Sequence, residues 1–223
     1  IGPGDAIITT PYSFFATAAC IARVGATPLF VDIDPKTFNI SPAALRSFIE
    51  KNCRQTDGVL MTRERQAVRL IIPVHLFGLC CDMDAILEIA REFKLFVMED
   101  AAQAIGAGYP QTDATGSAGT MGDVGCFSFY PSKNLGAAGD AGAIICDNEN
   151  LAARFRICRQ HGMEPRYYHQ FIGGNFRLDE LQAAILQVKL PHLANWSAAR
   201  RAAADFYREE FSRRNLGDSI ILP

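Results

Sequence analysis

The chain has 223 residues, with 22 basic against 24 acidic for a net charge of −2, and is 49% hydrophobic with a mean hydropathy of +0.05. That length is ample for one substantial core, and the composition is too apolar and too weakly charged for a disordered chain or an electrostatic nucleic-acid binder. No apolar run approaches the ~20 residues that span a bilayer, no charged-then-apolar leader opens the chain, and Ile1 reads as the cut edge of a longer protein.

In chain order, apolar β-type runs at 6–9, 28–32, 68–74, 95–99, 125–129 and 142–146 alternate with helical patterns at 13–24, 42–51, 83–93 and 149–160. The alternation predicts an α/β fold, a three-layer sandwich whose mostly parallel sheet is covered on both faces. Ser41-Pro42 predicts a helix start, Ser as N-cap and Pro in the first helical position. Gly25 and Lys94 fall where helices give way to strands. The polar stretch 52–67, with Thr56-Asp57-Gly58, predicts a surface excursion, and 109–122, rich in Gly, Thr and Ser, a long loop. A third irregular stretch, 162–175, is aromatic and basic. From Leu178 a helical pattern runs to about Phe211, kinked or broken at Pro191. Its second half is charged and Ala-rich, like a helix bridging to another domain.

Seven cysteines, an odd number without a C-x-x-C, lie mostly in apolar runs and predict buried free thiols in a reducing cytosol. The four histidines lack metal-ligand spacing, so no metal site is expected. Asp32-x-Asp34 before Pro35 reads as turn chemistry rather than a metal pair, and His75 as a strand-end histidine bonded to a loop. Gly116-x-x-Gly119-x-x-Gly122 has the wrong spacing and setting for a nicotinamide dinucleotide.

Lysine is scarce, at 36, 51, 94, 133 and 189, and Lys133 has the most suggestive setting. It follows a strand end and precedes a Gly-rich turn, at the carboxyl edge of a parallel sheet where α/β proteins bind ligands. Alone it reads either as a solvated loop lysine or as an amine able to attack a carbonyl. Asp100, 33 positions earlier, ends another strand and reads alone either as a helix N-cap or as a site acid. Together they match what pyridoxal phosphate requires: an acid beneath the pyridine nitrogen and a lysine bonded to the cofactor. Ser128, five residues before the lysine, would reach a phosphate through its hydroxyl.

Several strings occur in order: Thr9-Thr10-Pro11-Tyr12-Ser13-Phe14-Phe15-Ala16-Thr17, Gly25-Ala26-Thr27-Pro28, Phe30-Val31-Asp32-Ile33-Asp34 and Pro73-Val74-His75-Leu76-Phe77-Gly78. Glu99-Asp100-Ala101-Ala102-Gln103, Ser128 to Gly136 and Gly174 to Ala184 follow. Over almost the whole chain they resemble the DegT/DnrJ/StrS family of pyridoxal-phosphate-dependent nucleotide-sugar aminotransferases. The resemblance implies the large domain of a fold type I pyridoxal-phosphate enzyme, cytoplasmic and homodimeric, serving deoxyamino sugar or polysaccharide biosynthesis. It implies transamination of a nucleotide-linked keto sugar with glutamate as amino donor, without nucleic-acid or membrane partners. Lys133 would form the aldimine with pyridoxal 5'-phosphate and shuttle protons, while Asp100 would pair with the pyridine nitrogen. Gln103 would contact the phenolic oxygen side, Phe14 would stack on the ring, Ser128 would bind the phosphate, and Asn175 would reach the phosphate of the neighbouring subunit.

Residues 1–190 would form the cofactor domain without its N-terminal part, and 191–223 a bridging helix and the start of a truncated small domain. The chain alone would then be inactive. Two alternatives are a sugar dehydratase relative, which would carry His in place of Lys133, and a regulatory or structural protein on the same scaffold.

Overall fold

The computed structural model describes residues 1–110, 115–216, 220 and 222. Parts of the expected 109–122 loop and of the expected 191–223 segment therefore lie outside the described residues. The N-terminal half runs β1 (Asp5–Thr9), α1 (Ala16–Arg23), β2 (Thr27–Phe30), α2 (Pro42–Asn52), β3 (Cys53–Thr56), β4 (Val59–Thr62), β5 (Ala67–Ile71) and α3 (Met83–Phe93). There follow β6 (Phe96–Asp100), β7 (Gly108–Pro110), β8 (Thr115–Ser117), β9 (Val124–Ser128), β10 (Gly142–Ile145), α4 (Glu149–Cys158), α5 (Glu180–Lys189) and α6 (Leu193–Arg213).

The main sheet has the order β10-β9-β6-β5-β1-β2, parallel from β9 to β2, with β10 antiparallel at the edge. Parallel strands bury both faces, and the two faces are covered differently. Ala6, Ile8, Val68, Ile71 and Val97 pack with Leu45 and Ile49 of α2 and Ile86 and Ile89 of α3. Ile7, Leu70, Ile72 and Met98 pack instead with Ile21 of α1. Each fully buried aliphatic side chain contributes about 1.5–3 kcal/mol, so these two layers fix the register of β1, β5 and β6.

Local chemistry fixes the helix ends. Ser41 caps α2 through Ala44 N–H, with Pro42 in the first turn. Asp82 caps α3 through Ala85 N–H, and Lys94 ends it in the left-handed conformation. Pro191 sits in a single 3-10 turn between α5 and α6, the expected break.

Two expected loops are corrected. The 52–67 excursion is a β3–β4 hairpin joined to β5 at Met61 and Ala67, turning at Asp57 (φ 52°) and Gly58 (φ 78°). Within 109–122, β7 and β8 form a small antiparallel pair. The stretch 162–175 is irregular, as expected, apart from isolated bridges.

Candidate active site

Strand alternation aims neighbouring acids at opposite sides of the sheet. On β6, Val97 and Glu99 are buried on the α2/α3 side, whereas Met98 and Asp100 face α1. Asp100 pairs in register with Cys126 of β9, so Ser128, two residues on, shares its face nearer the carboxyl edge. Burial, with Asp100 and Cys20 close by, pushes the Cys126 thiol up to about 12, so it stays protonated between them.

Asp100 is half-buried, and each carboxylate oxygen accepts one hydrogen bond: Oδ2 from Thr17 Oγ1 at 2.7 Å and Oδ1 from Ala102 N–H at 3.1 Å. The ladder to β9 extends one bond past the strand, with Ala101 N–H donating to Cys126 O at 2.9 Å. Gln103 follows on the turn beyond. Its Oε1 accepts Phe77 N–H at 2.8 Å, which leaves the NH2 group as the end of the side chain that can serve a ligand. Phe77 holds φ at +57° on a 3-10 turn, an uncommon conformation for a non-glycine residue. Ser128 Oγ accepts Tyr130 N–H at 3.3 Å, so its hydroxyl proton remains to be donated.

Lys133 lies five residues beyond the end of β9, half-buried, on a turn closed by its N–H to Tyr130 O at 2.8 Å. That turn is clamped from α5, a support the sequence reading did not anticipate. Gln182 Oε1 accepts Ala138 N–H at 2.8 Å, Lys189 Nζ bonds Gly136 O, and Leu186 packs on Leu135 and Ala137. Gly136 is required by close approach, because a Cβ there would meet the Pro131 carbonyl.

Phe14 is exposed just ahead of α1, its O accepting Thr17 N–H at 3.3 Å. Asn175 is not brought to the other site residues. It is exposed on a bridge to Gln160 at the end of α4, and its Oδ1 accepts Arg177 Nε at 2.8 Å. In the same stretch of chain Tyr167, Tyr168, Ile172 and Phe176 are also exposed.

Behind Asp100, Glu99 is fully buried and saturated. Its Oε2 accepts from His75 Nε2 at 2.8 Å and Gly119 N–H at 2.7 Å, its Oε1 from Met121 N–H at 2.7 Å and Gly122 N–H at 2.6 Å. His75 Nδ1 accepts Cys81 N–H at 3.1 Å, so the ring proton sits on Nε2 and points at Glu99. His75 thus bonds to a loop at a strand end, as expected. Burial alone would push the Glu99 carboxyl up. The His75 N–H and the Gly122, Gly119 and Met121 amides outweigh it and hold the carboxyl below the usual carboxylate range. The glycine run 116–122 is therefore largely a cradle for a buried carboxylate; its Gly119 has φ +86° and no room for a Cβ beside Phe127. Alternation placing Glu99 beside Val97 was the available signal for this network.

Asp34 Oδ1 caps Lys36 and Thr37 N–H, the expected turn chemistry. All seven cysteines are free, but only Cys53 and Cys81 are buried, which corrects the expectation of mostly buried thiols. Among the described residues no cluster of three or more His, Cys, Asp or Glu could hold a metal, and no helix is long and apolar enough to cross a membrane.

The sequence model of the DegT/DnrJ/EryC1/StrS aminotransferase family matches residues 1–220. A "Pleiotropic regulatory protein" of Geobacillus stearothermophilus is 47% identical over 100% of this chain and 55% of its own length. The UDP-N-acetyl-3-dehydro-alpha-D-glucosamine 3-aminotransferase of Acidithiobacillus ferrooxidans is 44% identical over 100% of this chain and 54% of its own. The crystal structure of NtdA from Bacillus subtilis with bound cofactor PMP superposes with a TM-score of 0.79 at 34% identity, covering 98% of this chain and 45% of that one. The chain spans about half the length of the relatives it matches.

Proposed function

The chain belongs to the DegT/DnrJ/EryC1/StrS aminotransferase family, whose enzymes depend on pyridoxal phosphate, and from that premise we propose that the full protein transfers an amino group to a nucleotide-linked keto sugar. The observation that carries the reading is the donor set around the strand ends. Asp100 offers only acceptor oxygens, Gln103 offers an amide NH2 because Phe77 occupies its carbonyl, and Ser128 offers a hydroxyl proton. Pyridoxal phosphate presents a protonated ring nitrogen, a phenolate oxygen and a phosphate, and the three groups fit those needs one to one.

When bound, pyridoxal phosphate supplies an electron-withdrawing ring that stabilises negative charge developing beside the amine. Asp100 holds the proton on the ring nitrogen, Gln103 donates to the phenolic oxygen, Ser128 to the phosphate, and the Phe14 ring covers one face. Lys133 Nζ would be the group that holds the cofactor covalently and, once an incoming amine has taken its place, the free amine able to move a proton at the reacting carbons. The α5 clamp on the 131–138 turn limits the positions its side chain can take. Glutamate serves as amino donor.

Residues 1–190 serve as the cofactor-binding domain, and 191–223 as the bridge into a smaller one. Exposure of nearly the whole of α6, where Leu193 alone is buried, supports that division. The exposure of Tyr167, Tyr168 and Phe176, near Asn175 in sequence, supports a homodimer in which Asn175 reaches the partner's phosphate site. The setting of the reaction is cytoplasmic.

The name of the Geobacillus relative favours a second reading, a regulatory protein on the same scaffold. Incubating the full protein with glutamate and a panel of nucleotide-linked 3-keto and 4-keto sugars separates the two. Transamination releases 2-oxoglutarate and an amino sugar with at least one member; formation of neither with any member contradicts it.

A further inference from the structure

Asp100 is the last residue of β6, and its strand does not orient its carboxylate. The terminal torsion of an aspartate is broad and roughly two-fold, so without partners the two oxygens would sample many planes. One restraint is local, Ala102 N–H on Oδ1 at 3.1 Å. The other comes from 83 positions away: Thr17 Oγ1, buried in the first turn of α1, donates to Oδ2 at 2.7 Å. Ser13 Oγ stands 3.1 Å from the same Thr17 oxygen. Thr17 has a single hydroxyl proton, and an ionised carboxylate has none to give. The proton of Thr17 therefore lies towards Asp100, and Ser13 supplies the proton between the two hydroxyls. The chain is directed, Ser13 to Thr17 to Asp100.

We propose that Thr17 is a positioning residue for the cofactor's ring nitrogen, its hydroxyl fixing the plane of the Asp100 carboxylate so that an open lone pair meets the ring N–H. The inference rests on the reading of Asp100 given above. It explains why a polar residue is buried at this position of α1, on the face that otherwise packs Ile21 against Ile7, Leu70, Ile72 and Met98. It also gives residues 13–17 a joint task. Phe14, at the ring face, and Thr17, behind the acid, are carried on one turn of chain, so the start of α1 sets ring face and ring nitrogen in a common frame.

The test uses the full protein with Thr17→Val, which keeps shape and removes the donor, Thr17→Ser, which keeps the donor, and Asp100→Asn as reference. Three quantities are read: the dissociation constant of pyridoxal phosphate from the apoprotein, the resonance of the ring nitrogen in protein loaded with 15N-labelled cofactor, and kcat against KM for the amino donor. Thr17→Val is expected to weaken cofactor binding about 10-fold, as for loss of one buried charge-assisted hydrogen bond. It should also move the nitrogen resonance towards the unprotonated position and lower kcat with KM little changed. Thr17→Ser should stay within about two-fold of wild type in binding, because the hydroxyl donor is retained. If Thr17→Val matches wild type in binding and resonance while Asp100→Asn disturbs both, the positioning role is overturned and the reading of Asp100 stands. If Asp100→Asn also disturbs neither, that reading fails and takes the proposal with it. If Thr17→Ser is as impaired as Thr17→Val, the methyl group rather than the hydroxyl matters and the proposal is overturned. Should Thr17→Val fail to fold, Thr17→Ala, which relieves volume at the site, is judged by the same criteria.

Discussion

Nε2 of His75 lies 2.8 Å from Oε2 of Glu99, and neither side chain is exposed to solvent. The Cys81 amide occupies the other ring nitrogen, so the pair is a neutral imidazole donating to a carboxylate that also takes three backbone amides. This arrangement ties the turn after β5 and the 119–122 cradle to the strand that carries Asp100.

Glu99→Gln should therefore destabilise the fold by about 3 kcal/mol, because an amide NH2 would face N–H groups that have no other acceptor. Urea unfolding of the full protein measures it through the shift in midpoint at unchanged slope.

Acid stability follows from the same carboxylate. Its folded pKa lies below its unfolded value of roughly 4.3, so its contribution is fully present above that value and is lost as pH falls through the folded pKa. The Glu99-dependent part of stability should therefore be constant from neutral pH down to about 5 and decline below about 4. The difference in unfolding free energy between wild type and Glu99→Gln, followed against pH, should shrink in that acid range.

The sheet was legible because its parallel strands are near-continuous apolar runs separated by capped helices, as at Ser41 and Asp82. The β3–β4 hairpin was not, because Arg54, Gln55 and Thr56 are exposed and give no apolar alternation. Its signal was the Asp57-Gly58 turn, with both residues at positive φ. For the candidate site, strand ends and spacing pointed to Lys133, Asp100 and Ser128, and the family resemblance added Gln103. Their supports were not legible: Thr17, Phe77, Gln182 and Lys189 act across 83, 26, 44 and 53 positions, and no local pattern encodes such contacts. Asn175 is exposed, and among the described residues its side chain bonds only Arg177, two positions on, so no long-range contact marks it.

Gly136→Ala should open the lysine turn, since the new methyl meets the Pro131 carbonyl group. Overpacking of this kind costs about 1–3 kcal/mol, and displacement of Lys133 should lower cofactor retention beyond that stability loss. Equilibrium dialysis of cofactor from the folded variant, beside its unfolding curve, measures both.

A shared site predicts complementation. Lys133→Ala and Asn175→Ala should each be impaired, Lys133→Ala completely. Co-refolded in equal amounts, half the dimers are mixed and each mixed dimer holds one intact site, so activity should return to about a quarter of wild type. Recovery no greater than the residual activity of Asn175→Ala would place Asn175 outside the partner's site.

The identity of Lys133 as the cofactor's anchor is the central claim, and chemical trapping tests it most directly. The full protein is incubated with pyridoxal phosphate, reduced with borohydride to fix any lysine linkage, digested, and mapped by mass spectrometry. The reading predicts a reduced pyridoxyl group on the peptide containing Lys133, and loss of the bound cofactor's visible absorbance in Lys133→Ala. Labelling confined to Lys36, Lys51, Lys94 or Lys189, or no labelling at all, would contradict it.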